Sequence, residues 1–159
     1  MHSHPPGRAL AAALFTAFGC LVAAGALAST SQPAPTPQAA VVEPIRAVYH
    51  INEIDKARGL LANVRNHLRD DPSTQIVVVA NGGGIDFLLK DAVDKAGVEF
   101  APALQDLQSK GVKFLVCRNT LTSRQLTDAN VTELAGVVQA AVGEIARLQA
   151  RQGYVYIKP

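Results

Sequence analysis

A lone cysteine at the end of an apolar run is the residue best placed to do chemistry in this chain. Cys117 closes the run Val112-Lys113-Phe114-Leu115-Val116-Cys117 and is followed by Arg118-Asn119-Thr120. Such a run, bounded by Gly111 and a polar stretch, reads as a buried strand. Ligands gather at the carboxyl ends of strands in open parallel sheets, so the thiol stands at a reactive edge. The acting species would be the thiolate. A cation such as Arg118, or amides of a helix beginning at Asn119-Thr120, would lower its pKa from about 8.5 into the range of roughly 3.5–7.5. A thiolate there would attack a sulfane sulfur or a disulfide and hold the transferred sulfur as a persulfide. The competing reading is a buried, inert cysteine that fills the strand end, since free cysteines are commonly buried.

Two other groups can share that edge. Asn81-Gly82-Gly83-Gly84 follows a second apolar run, and glycines there permit positive φ and close backbone approach to a ligand. Successive amides could form an anion nest. The spacing is neither a dinucleotide fingerprint nor a P-loop, and the plainer reading is a strand-to-helix turn. His50 lies near the end of the first strand, where it could act as a base or orient the thiol. Its plainer role is a hydrogen-bonded structural residue. His67 falls on the lateral side of a helix with no evident partner. No spacing suggests a metal site, no cofactor motif is present, and no Ser-His-Asp set is visible.

Composition narrows the classes further. The 159 residues carry a formal charge of +2 and no Trp, and no Lys/Arg run or RNA-type aromatic cluster occurs, which argues against nucleic acid. Residues 1–28 have export logic: a short n-region, an uncharged apolar stretch, and Ala26-Leu27-Ala28 before Ser29. The predicted destination is outside the cytoplasm, in the periplasm. The alternative is a retained membrane anchor, since about twenty apolar residues can span a bilayer. Cys20 falls inside this stretch, so cleavage would leave Cys117 as the sole thiol. Residues 29–43 read as a Pro-rich, flexible linker, and residues 44–159 as one domain.

The elements that position the candidate groups follow from periodicity. Strands are expected at 45–51, 75–80, 112–117, 136–140 and 154–158. Ile54, Ala57, Leu60, Leu61, Val64 and Leu68 predict a helix over about 53–69 with Asn52 as its N-cap. Further helices are expected at about 85–93, 100–110 and 142–152, with a short helix or turn at 120–126 and turns between. The order βαβααβαβαβ predicts a three-layer α/β/α sandwich around a mostly parallel sheet of about five strands. Tyr154 and Tyr156 alternate with Val155 and Ile157 on the last strand. An apolar edge strand needs cover, from another subunit or from the chain's own helices.

The stretch from Lys110 to Leu121 resembles the cysteine motif of the DsrE/F-like sulfur-relay superfamily, closest to a small single-domain branch with a C-x-N-T pattern. Gln149 to Pro159 is similar to that branch's ending, and the 60–67 segment and the Gly-rich turn at Asn81 also fit. The resemblance covers about residues 46–159. It implies an α/β/α homo-oligomer, commonly a trimer or hexamer, and sulfur carriage or transfer through a persulfide on Cys117. Arg118, Asn119, Thr120, His50 and the loop of Asn81, Gly82 and Gly83 would shape the site. The sulfur donor and acceptor are not indicated. Asn81 stands where many relatives of this branch would carry His, which removes one acid/base group. Two other classes stay open: a non-catalytic, oligomeric anion- or small-molecule-binding module with a structural cysteine, and a redox partner using an intermolecular disulfide.

Overall fold

The computed structural model describes residues 43–159; the expected leader and linker lie outside the described residues, apart from residue 43. Five strands form one sheet: β1 (Arg46–Ile51), β2 (Gln75–Ala80), β3 (Lys113–Cys117), β4 (Ala135–Val138) and β5 (Val155–Ile157). Their spatial order is β4-β3-β2-β1-β5, and every neighbouring pair is parallel. The strands form where β-branched runs can be buried on both faces. β2 is the clearest case, with every residue from Ile76 to Ala80 buried.

Four α-helices connect them: α1 (Ala57–Asp70), α2 (Ala101–Ser109), α3 (Arg118–Ser123) and α4 (Ala141–Gln152). The layer each helix joins follows from crossover handedness. The chain steps β1 to β2 to β3 to β4 in one direction across the sheet, so α1, α2 and α3 lie on one face. It then returns over the whole sheet to β5, which puts α4 on the other. The core divides accordingly. Leu60, Leu104 and Leu121 pack with Ile76, Val78 and Val116, whereas Ala141, Ile145 and Leu148 pack with Val48, Val77, Val79 and Cys117.

The expected elements are present with local corrections. Asn52 does not cap the first helix: a 3-10 turn at Ile54–Lys56 precedes α1, and no side-chain cap bond forms there. The segment expected as a helix at 85–93 is a 3-10 helix at Gly82–Leu88 followed by irregular chain with two isolated bridges. Three consecutive glycines disfavour an α-helix there. Gly84 is required by close approach, because a Cβ would sit 2.5 Å from the Ile51 carbonyl oxygen. The chain's own helices leave Val155 53% and Tyr156 42% exposed on edge strand β5. Among the described residues, no helix is long and apolar enough to cross a membrane.

Candidate functional site

Strand order and crossover direction together fix where a site can form. The connection after β3 enters α3 on one face, and the connection after β4 enters α4 on the other. The crevice between the carboxyl ends of β3 and β4 is therefore the switch point of the sheet, where ligands bind in open α/β folds. Cys117 is the last residue of β3 and the residue before α3, and it pairs with Val138 of β4.

Cys117 lines a cavity of about 280 Å³ together with Asn81, Asn119, Thr120, Ser123, Ala140, Ala141 and Val142. The Cys117 residue is only 6% exposed. The Ala141 amide donates to Sγ at 3.4 Å. Ala140 offers α4 no side-chain cap, so the sulfur satisfies one of the amides that a helix start leaves unpaired. Burial is the largest influence on the thiol and pushes its pKa up. The hydrogen bond from the Ala141 amide, with the nearby Thr120 hydroxyl and amide and the Asn119 amide, outweighs burial and holds it below the ordinary value.

The neighbouring strands bring a polar chain to the same edge. Asn81 lies one residue beyond the Ala80–Val116 pair, alongside Cys117. Its Oδ1 is 3.1 Å from His50 Nε2, and His50 Nδ1 is 2.8 Å from the Tyr156 hydroxyl. With Oδ1 facing it, Nε2 carries the ring proton and Nδ1 accepts from Tyr156. The Thr120 hydroxyl oxygen accepts from the Gly82 amide at 3.2 Å, tying the glycine loop to α3. Gly83 packs beside the Asn52 carbonyl, with no hydrogen bond toward the sulfur. Asn119 is clamped to the β4–α4 junction: its amide donates to the Gln139 carbonyl at 3.3 Å, and its Oδ1 accepts from Gln139 Nε2 at 3.0 Å.

The structure thus gathers Cys117, Asn81, Asn119 and Thr120 around one cavity, with Gly82 and His50 supporting them. Arg118 does not take the place expected of it. Its guanidinium makes two hydrogen bonds to the Asp128 carboxylate, at 2.8 and 2.7 Å, and is not part of the cavity lining. The largest influences that acidify the thiol are neutral donors, and no cation is among them. Sequence reasoning missed Ala141 and Gln139, which act through a backbone amide and from a distant connection. It also missed the link from Tyr156 to His50, for which the only signal was the side-chain alternation on β5. Two other cavities, of about 510 Å³ beside Arg58 and Phe100 and about 340 Å³ beside Leu89 and Glu133, hold no nucleophilic thiol. Among the described residues no cluster of His, Cys, Asp and Glu could hold a metal ion.

The DsrE/DsrF-like family profile matches residues 26–159. The chain belongs to the DsrE/DsrF-like family. A protein of unknown function from Methanobacterium thermoautotrophicum, MTH1491, is 36% identical, with a TM-score of 0.64 over 72% of this chain and 99% of that one. The ychN protein from E. coli shares the fold at 10% identity, with a TM-score of 0.59 over 74% of this chain and 100% of that one. No match occurs among curated proteins. Membership of the DsrE/DsrF-like family suggests a sulfur-relay role at family level.

Proposed function

We propose that this DsrE/DsrF-like protein carries sulfane sulfur as a persulfide on Cys117 and passes it to an acceptor thiol. The observation that carries this reading is a thiol at the sheet's switch point, lining a small cavity and acidified by the Ala141 amide and neighbouring donors. In the first step the Cys117 thiolate attacks the outer sulfur of a persulfide donor. As the new S–S bond forms the donor's S–S bond breaks, and the proton of the outer sulfur passes to the departing donor sulfur, which leaves Cys117 as a persulfide anion and the donor as a thiol. In the second step an acceptor thiolate attacks the outer sulfur and Cys117 leaves as a thiolate. A lower pKa makes it a better leaving group. No external oxidant or reductant is consumed. Asn81, Asn119 and Thr120 shape the cavity, Gly82 is tied to Thr120, and His50 holds Asn81. Arg118 acts only by bracing α3 against Asp128.

A second reading is favoured by the 6% exposure of Cys117 and by its cap on α4: a binding module in which the cysteine is structural. Alkylation of the native protein separates the two. Modification of Cys117 in the folded state at a rate near that of a free thiolate supports carriage. Modification only on unfolding supports the structural cap.

We further place the mature protein outside the cytoplasm, on the strength of the apolar segment ending Ala26-Leu27-Ala28. A chain beginning at Ser29 in the extracytoplasmic fraction is the expected result. A full-length chain confined to the cytoplasm contradicts it. Half-exposed Val155 and Tyr156 on a three-residue edge strand support a homo-oligomer with β5 in the contact.

A further inference from the structure

Two asparagines line the Cys117 cavity, and both are held from outside it by their carbonyl oxygens. His50 Nε2 engages Asn81 Oδ1 and Gln139 Nε2 engages Asn119 Oδ1. An asparagine side chain has one acceptor oxygen and two N–H donors on its nitrogen. With each oxygen held by a partner outside the cavity, the NH2 group is the part of each amide with no protein partner. Among the described residues neither Nδ2 has a partner within the protein; Asn81 Nδ2 is not a buried unpaired atom, and Asn119 is an exposed residue. His50 is itself fixed by Tyr156 on its other nitrogen, which leaves the imidazole little freedom to release Asn81. No carboxylate and no basic side chain lines the cavity. Apart from the Cys117 thiolate itself, the lining is therefore uncharged and rich in donors.

We propose that Asn81 and Asn119 form a neutral donor pair for a small anion at Cys117, and that the sulfur donor is accordingly a small anionic sulfane-sulfur compound. This rests on the carrier reading for the identity of the cargo. The same two NH2 groups meet the incoming anion and then the negatively charged outer sulfur of the persulfide. With thiosulfate as donor, the Cys117 thiolate forms a bond to the sulfane sulfur. The S–S bond of thiosulfate breaks and sulfite leaves with its electron pair. Total charge is unchanged and no further reactant is needed. Neutral donors suit a carrier, because they stabilise the anion without the deep electrostatic trap of a buried cation. His50, Gln139 and Tyr156 are positioning residues that keep the amides turned the right way.

The test compares alkylation of Cys117 by anionic iodoacetate and neutral iodoacetamide in the full chain. Asn81→Asp and Asn119→Asp keep an oxygen for His50 or Gln139 and replace the NH2 with a negatively charged oxygen. Each is expected to lower the iodoacetate-to-iodoacetamide rate ratio by about tenfold, the scale of a hydrogen bond to a charged group. His50→Ala and Gln139→Ala leave the lining intact and should lower the ratio less, in the same direction. They also supply the answer if the aspartate variants do not fold. A ratio unchanged across the variants overturns the proposal. If the wild-type thiol reacts with neither reagent the carrier reading falls. The side-chain amide resonances of Asn81 and Asn119 on adding thiosulfate then decide the anion site: shifts support it and their absence overturns it. A normal ratio effect in a protein that takes no sulfur from inorganic polysulfide would keep the anion site and remove the carrier.

Discussion

The Cys117 sulfur both accepts the first amide of α4 and faces the cavity as its nucleophile, so its acidity and the stability of the fold are linked. Its pKa in the folded protein lies below the ordinary value, despite burial, because of the donors around it. A group with a depressed folded pKa stabilises the fold above its unfolded pKa and loses that contribution as pH falls through the folded value. The stability difference between wild type and Cys117→Ser should therefore grow as pH rises from below the folded pKa to above about 8.5, the ordinary thiol value. Denaturant melts across that window read it, and a pH-independent difference would contradict the acidified thiol. Thr120→Val removes one donor and should slow alkylation at neutral pH about threefold to tenfold. At this scale the placement of Cys117, Asn81 and His50 at one sheet edge was legible, because each lies at or beside the end of a strand whose apolar run is plain. Arg118 misled because adjacency in sequence is not adjacency in space: it begins α3, and its side chain pairs with Asp128. The Ala141 amide has no side-chain signature that could have announced it.

Helix starts and strand ends do the positioning at the level of elements. The β2 end must pass close to the β1 end for Asn81 to meet His50, and Gly84 makes that approach possible. Gly84→Ala places a methyl group 2.5 Å from the Ile51 carbonyl oxygen, so backbone must move. A loss of about 1–3 kcal/mol is expected from such overpacking, read by denaturant melts, together with slower Cys117 alkylation as Asn81 shifts. A variant as stable and as reactive as wild type would show that the approach is not needed. All five strands and the helices α1, α2 and α4 could be read from apolar periodicity and from glycine stops such as Gly153, which takes φ +69° after α4. The 3-10 helix at Gly82–Leu88 could not, because its apolar residues match helical spacing while its glycines act against an α-helix.

For the whole molecule, one long return connection organises everything else. Because α4 crosses back over the opposite face, its first turn meets the end of β3, so that α3 and α4, from opposite layers, both begin beside Cys117. The three-layer architecture was legible from element order and crossover handedness. The meeting of Cys117 with Ala141 was not, since it depends on strand order, and strand order is set by long-range pairing. The same return leaves β5 as a short edge with Val155 and Tyr156 half exposed. Val155→Lys should shift the sedimentation-velocity mass from an oligomer to the single chain with little effect on protomer stability. A single chain already in the wild type would remove β5 from any self-contact.

The most direct measurement is the intact mass of the protein after incubation with inorganic polysulfide and removal of excess reagent, for wild type and Cys117→Ser in parallel. Carriage requires a gain of one sulfur in the wild type, absent from the serine variant and reversed by a thiol acceptor. An unchanged wild-type mass, with Cys117 shown by alkylation to be accessible, would contradict persulfide carriage.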